Sequence, residues 1–347
     1  MHRKTVFVIG AGASKEANLP TGSELKEKIS YLLDITFDFS RQISGDRLIT
    51  DALRIHVQGP GGQRGDINPH LEQAWFIRDA MPLAISIDNF IDAHRDNEKV
   101  ALCGKLAIVR SMLDAEKNSL LYFEKSRQDS NINFISLDEA WYLSFFQLLT
   151  ENCQKDNLKE RFESVTLIIF NYDRCIEHFM FHALRNYYRI SQAEAADIVK
   201  CISIYHPYES VGSLPWFDSR DSMEFGAEPY GEQLLRLAGK IKTFTEGTDP
   251  NSSDILKIRS HMSVTERLVF MGFAFHELNM QLIVPDKHED RKGIPPKCYA
   301  TTYLISKSDE EVIRQQIDNL YGLAINTKME HLTCNKFITE FRRSLAF

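Results

Sequence analysis

Asn171 and Asp173 stand two residues apart, and His206 follows them further along the chain. An amide and a carboxyl at that spacing can both face one ligand across a single turn. A histidine changes charge near neutral pH, which suits it to acid–base work. Each has an ordinary explanation as well. Asn and Asp are good turn formers, and a histidine before Pro207 can be a hydrogen-bonded structural residue. Near the N-terminus, Gly10-Ala-Gly12-Ala-Ser14 presents backbone with little side chain over it. Glycine lets a chain bend sharply and approach a phosphate closely, and the amides that open a helix favour negative charge. The chemistry these residue types allow is the binding of a nucleotide diphosphate beside a polar group and a titratable one.

The elements that must position them follow from apolar patterning. Thr5-Val-Phe-Val-Ile9 is a short apolar run that reads as a buried strand. The dinucleotide fingerprint would have a third Gly or Ala where Lys15 stands, and no strand-borne acidic residue follows about 20 residues on. An ordinary tight strand-to-helix turn accounts for the two glycines alone. Val165–Phe170 is a second buried-strand run leading into Asn171, followed by a helix from Arg174 to about Arg189. Val199–Tyr205 reads as a strand ending at His206, and a long Gly/Pro/aromatic loop spans Tyr208 to Gly231. Helices near 232–245 and 252–260 precede a strand Arg267–Met271, which ends in Gly272-Phe-Ala-Phe275. Further strands are read at 300–305 and 322–326, with a closing helix at 333–344. Strands alternating with helices predict an α/β fold, a Rossmann-like doubly wound parallel sheet. Ligands of such sheets bind beyond the carboxyl ends of the strands. The turns at Gly10–Ser14, Asn171–Asp173, His206 and Gly272–Phe275 are therefore expected in one crevice.

Between these parts lies a block of different rhythm. Thr21 and Glu24 have capping-box spacing before an apolar face at Leu25, Ile29, Leu32 and Leu33. From about Asp38 to Asn157 the pattern is helical with no convincing strand, and Asp138 reads as a helix N-cap. Residues 31–163 are thus expected to form an all-helical insertion, and 1–30 with 164–347 the nucleotide-binding domain.

Bulk properties exclude several classes. Hydrophobic content of 43% and charged content of 26% are those of a soluble globular chain. A formal net charge of −7 argues against an electrostatic grip on nucleic acid. No apolar stretch approaches the length of a membrane span, and the N-terminus does not read as a secretory signal. The six cysteines are dispersed without a CxxC pair, so no metal site is expected and a cytoplasmic location is. His178 and His182 lie four apart on one helix but lack the glutamate of HExxH; they read as packing residues. His276, Glu277, Asp286, His288, Glu289 and Asp290 read as a solvated loop. No GxSxG, P-loop or kinase signature is present.

Val8-Ile-Gly-Ala-Gly-Ala-Ser14 with Asn18-Leu-Pro20, then Phe170-Asn-Tyr-Asp173, His206, and Val269-Phe-Met-Gly-Phe-Ala-Phe275 together resemble the sirtuin (silent information regulator) superfamily. They look closest to its bacterial sirtuin-like branch of NAD-degrading antiphage effectors. The likeness covers about residues 4–30 and 164–347 and rests on four short motifs in order. It departs from the deacylases in lacking their four-cysteine zinc module, in carrying Thr21-Gly-Ser-Glu24 after Leu-Pro20, and in having Pro207 after the histidine.

The resemblance implies roles. Gly10, Ala11, Gly12 and Ser14 would hold the pyrophosphate of NAD+. Asn171 would position the attacking water or the nicotinamide ribose, and Asp173 would contact the carboxamide. His206 would engage ribose hydroxyls or act as base, and Gly272 with Phe273 would line the adenosine side. The activity so implied is NAD+ glycohydrolysis to nicotinamide and ADP-ribose, in an abortive-infection type of defence. Nicotinamide leaves as a neutral molecule, so a held ribose and one placed water suffice without paired carboxylates. Other readings of the same residues are a module that senses NAD+ or ADP-ribose without turnover, and an NAD-dependent deacylase. Toxic depletion needs an off state. A homo-oligomer or a controlling partner, such as a motor ATPase or a nucleic-acid-guided protein, is therefore expected, with no direct nucleic-acid or membrane contact.

Overall fold

A computed structural model describes residues 3–124, 131–218, 222–247, 252–286 and 295–347. His288, Glu289 and Asp290 lie outside the described residues.

The strands in chain order are β1 (Thr5–Ile9), β2 (Thr36–Asp38), β3 (Arg41–Ser44), β4 (Val165–Ile169), β5 (Ser203–Tyr205), β6 (Arg267–Met271), β7 (Lys297–Thr301) and β8 (Lys328–Glu330). Six of them form one sheet in the order β5-β4-β1-β6-β7-β8, with every neighbouring pair parallel. β1 sits between β4 and β6, and every residue of β1, β4 and β6 is buried. Burial of both faces is why these three strands read as continuous apolar runs rather than as alternating ones. The expected α/β doubly wound architecture is what the chain forms.

The order contains its own binding geometry. The chain leaves β1 for β4 and β5 on one side, then returns across it to build β6, β7 and β8 on the other. The turns after β1 and β6 therefore face each other at the point where the winding reverses, which is where open α/β sheets leave a crevice.

Helices cover the faces. The helix Trp141–Thr150 packs on the sheet through Phe145, whose ring meets Phe7 of β1 edge-on at 5.1 Å. It also contacts the helices Cys175–Tyr188 and Cys334–Glu340. Away from the sheet, the long helix Glu98–Lys117 packs against Gly22–Leu33, Asn68–Ala80 and Gly231–Lys240. The last of these comes from the segment after β5, so the helical assembly draws on both sides of the second strand pair.

Several local readings change. β2 and β3 make an antiparallel hairpin where no strand is expected from the sequence. The alternation of Ile35, Phe37 and Phe39 that would mark it is short, and Phe39 and Ile43 are left exposed rather than buried on one face. The strand read at 322–326 lies instead at Lys328–Glu330, and the one read at 199–205 shortens to Ser203–Tyr205, with Val199 ending the helix Gln192–Val199. Asp138 does not cap the helix that follows. Ala140 occupies the N-cap, and the free Trp141 amide donates to Glu16 Oε2 at 2.8 Å. The capping box of Thr21 and Glu24 is formed as its spacing predicts.

Candidate functional site

Ser14 is the hub of the carboxyl edge. It sits at the end of the short helix Ala11–Ser14 that follows β1, aimed at the turn after β4. Its Oγ donates to Asp173 Oδ2 at 2.7 Å and accepts from Asn171 Nδ2 at 2.9 Å. The other Asp173 oxygen accepts the Cys175 amide at 3.1 Å, which fastens the start of the helix Cys175–Tyr188. Asn171 Oδ1 is buried with no partner among the described residues. A polar atom in that state marks a place where a donor would be welcome.

His206 joins from β5. Its Nδ1 lies 3.2 Å from the Asn171 carbonyl oxygen and its Nε2 lies 2.7 Å from Glu177 Oε1. Burial, the largest influence, pulls the imidazole pKa down. The Glu177 charge and hydrogen bond, with smaller help from the Asn171 carbonyl and Asp173, outweigh it, and the net shift is upward. Glu177 stands one helical turn past Asp173. Nothing in the motifs drew attention to it; a lone carboxylate at that spacing, on a helix whose next turns are apolar, was the available signal.

The glycines have a structural reason of their own. A Cβ on Gly10 would come within 2.5 Å of the Gly272 carbonyl oxygen, and one on Gly12 within 2.9 Å. The two turns at the winding reversal touch backbone to backbone, and that contact alone requires glycine. Gly10 donates its amide to the Met271 carbonyl and Gly12 to the Gly272 carbonyl, each at 3.0 Å. Ser14 likewise spends its hydroxyl hydrogen on Asp173. In this arrangement these three groups are engaged by protein rather than presented to a phosphate. Gly272 has φ +56°, and a Cβ there would lie 2.1 Å from the Ala13 nitrogen.

Two cavities open along the edge. The larger, about 670 Å³, lies over β1, β6 and β7 and is lined by Ala11, Gly12, Gly272, Phe273 and Thr301, with Glu16 at its wall. The smaller, about 310 Å³, lies over β5 and includes His206, Glu177 and Arg174. A row of rings crosses between them. Tyr208 to Phe170 is 5.8 Å between centroids, Phe170 to Phe273 is 5.1 Å, and Phe273 to Phe275 is 5.2 Å. Ser14, Asn171 and Asp173 are buried and line neither cavity. The structure thus brings the site residues predicted from the sequence to one edge, with the polar cluster closed over.

The long loop after β5 is held down by a buried ion pair. Arg174 donates Nε and Nη2 to Glu116 at 3.0 and 2.5 Å, and Nη1 to the carbonyls of Met223 and Gly212. Glu116 accepts the Gly226 amide at 2.9 Å as well. Burial pushes the Glu116 carboxyl upward, opposed by Arg174.

Glu16 is a second buried carboxylate. It caps two helices, accepting from Trp141 and, at 3.2 Å, from the Asn335 amide. Burial, against those amides, raises its pKa to about 7. His178 and His182 are buried, His178 stacked on Phe225 with its Nε2 3.2 Å from the Leu121 carbonyl oxygen and His182 edge-on to Phe123. No helix among the described residues is long and apolar enough to cross a membrane. No family model matches the chain, and no curated protein matches it.

Proposed function

We propose that the chain binds NAD+ across its carboxyl edge and hydrolyses the nicotinamide–ribose bond, giving nicotinamide and ADP-ribose. The observation that carries this reading is the joined cluster of Ser14, Asn171, Asp173 and His206, assembled from β1, β4 and β5 in the order their motifs have in the resembled sirtuin-like proteins. The larger cavity has a volume within the range of small-molecule sites, about 300–1,000 Å³. It is bordered by Ala11 and Gly12 of the turn after β1, and it would take the adenosine half. The nicotinamide riboside would then reach toward Asn171, whose buried, unpartnered Oδ1 is free to accept from a ribose hydroxyl, the carboxamide or a water.

Cleavage here is mainly a matter of holding and drying. The pyridinium leaves as neutral nicotinamide, carrying the electron pair of the C1′–N bond. The protein's contribution is to fix the ribose, exclude bulk solvent and present one water to the opposite face. The burial of Ser14, Asn171 and Asp173 suits the closed resting state that a toxic NAD+-consuming defence effector requires. It supports control by self-assembly or by a partner that opens the cluster.

The same closure favours a second reading, a module that binds NAD+ or ADP-ribose without turnover. One experiment separates them. Purified chain is titrated with NAD+ by calorimetry and the mixture is then chromatographed. Nicotinamide appearing with equimolar ADP-ribose supports hydrolysis. Saturable heat with NAD+ recovered intact supports the binding module, and neither heat nor product, with every assembly state and candidate activating partner supplied, removes both.

A further inference from the structure

The hydrogen-bond partners of His206 constrain where its proton is. Nδ1 faces the Asn171 backbone carbonyl at 3.2 Å, and a carbonyl only accepts, so Nδ1 carries hydrogen. Nε2 faces a carboxylate oxygen of Glu177 at 2.7 Å. Either Nε2 also carries hydrogen and the ring is an imidazolium, or Glu177 is a protonated acid donating to it. In both cases the ring has no free lone pair. A histidine so engaged cannot take a proton from water.

The remaining lone pairs of the pair belong to Glu177 Oε2. That oxygen is buried and has no partner among the described residues, and the residue as a whole is 7% exposed. A carboxylate oxygen left in this state is restored energetically when an O–H donor arrives. Glu177 and His206 both border the smaller cavity, from which such a donor would come. The charged and titratable groups around the pair are Asp173 and Arg174 at the start of the same helix. Glu209 from the following loop, with Asp254 and Lys257 from the helix Ser253–Val264, also lines the cavity, and Glu116 lies behind Arg174.

We propose that Glu177 is the proton acceptor of the site and that His206 is its imidazolium counter-cation. This rests on the hydrolase reading. The attacking water would form the bond to C1′ while the C1′–N bond breaks and its electron pair leaves with nicotinamide. The water's proton would pass to Glu177 Oε2, leaving His206 protonated throughout. His206 then acts on charge and position, and removing Glu177 both abolishes the base and releases the ring to titrate.

The test has two arms on the full chain. In the first, ¹⁵N NMR of histidine-labelled protein follows His206 from pH 6 to 9, in the wild type and in Glu177→Gln. The wild-type ring is expected to stay doubly protonated at pH 7.5 and the variant ring to be neutral there. A neutral wild-type ring overturns the proposal, whether or not NAD+ is consumed. In the second arm, nicotinamide release is measured. Glu177→Gln should lower kcat by about 100-fold with KM for NAD+ little changed. Glu177→Ala should recover activity with added formate, while His206→Gln should not. Glu177→Gln retaining wild-type kcat, or Glu177→Ala showing no response to formate while still binding NAD+, overturns it. A wild type that gives no nicotinamide defeats the hydrolase reading, and with it the base assignment. The NMR arm would then still decide whether the ion pair exists.

Discussion

Ser14 and Asp173, 159 residues apart in sequence, are joined by a buried 2.7 Å hydrogen bond that ties the turn after β1 to the turn after β4. Ser14 is also the acceptor for Asn171, so one hydroxyl sets the aim of both side chains. Removing it leaves a buried carboxylate oxygen and a buried amide without their partner.

Ser14→Ala is therefore expected to lower unfolding stability by about 1.5–3 kcal/mol, the range for a hydrogen bond to a charged group. Nicotinamide release should fall at least about tenfold, because Asn171 loses its orientation. Chemical denaturation and a nicotinamide assay on the same preparation check both.

Gly272→Ala should be the most damaging of the substitutions at Gly10, Gly12 and Gly272, the glycines of the two touching turns. The new Cβ would lie 2.1 Å from the Ala13 nitrogen, on a backbone at φ +56°. Both penalties act on rigid backbone, so a loss above about 3 kcal/mol, or failure to fold, is expected. Gly22→Ala meets nothing within 4 Å and should change the melting temperature little. Comparing the two by thermal melts isolates the turn contact from any general effect of the substitution.

The Arg174–Glu116 pair is fully buried, with side chains 2% and 0% exposed. Breaking one side leaves an uncompensated charge, which costs about 3–5 kcal/mol. Glu116→Ala should thus destabilise the chain by that order. It should also open the 208–230 segment to limited proteolysis before global unfolding, since Arg174 holds the carbonyls of Gly212 and Met223. Cleavage elsewhere first would argue against this anchoring.

Glu16 has a pKa raised from 4.5 to about 7, chiefly by burial. A group whose folded-state pKa is raised is favoured in its protonated form by folding. Its contribution is complete below pH 4.5 and disappears as pH rises through about 7. Unfolding free energy should therefore decline across that window by up to about 3 kcal/mol. In Glu16→Gln the decline should flatten, leaving the variant the more stable of the two at pH 8. Denaturant melts at pH 5, 6, 7 and 8 give the comparison.

How far the sequence foretells this depends on what each segment is buried against. β1, β4 and β6 were legible because strands covered on both faces must be apolar throughout, and the turns after them were legible by their glycines and polar residues. The hairpin β2–β3 was not, since its strands are only three and four residues long and the apolar Phe39 and Ile43 are exposed. The cap of the helix Trp141–Thr150 was misplaced at Asp138 because the true partner, Glu16, is distant in sequence. The glycines of the first turn were legible as a place of close approach, and the backbone they meet within the fold is that of Gly272. Glu177 escaped notice because its meaning comes only from β5 placing His206 over it.

The central claim is most directly tested by giving purified chain NAD+ and measuring nicotinamide and ADP-ribose over time, beside Asn171→Ala with its melting temperature checked. The account predicts equimolar release by the wild type and loss of about 100-fold or more in the folded variant. Equal release by both proteins, or intact NAD+ with every assembly state and candidate activating partner supplied, would contradict it.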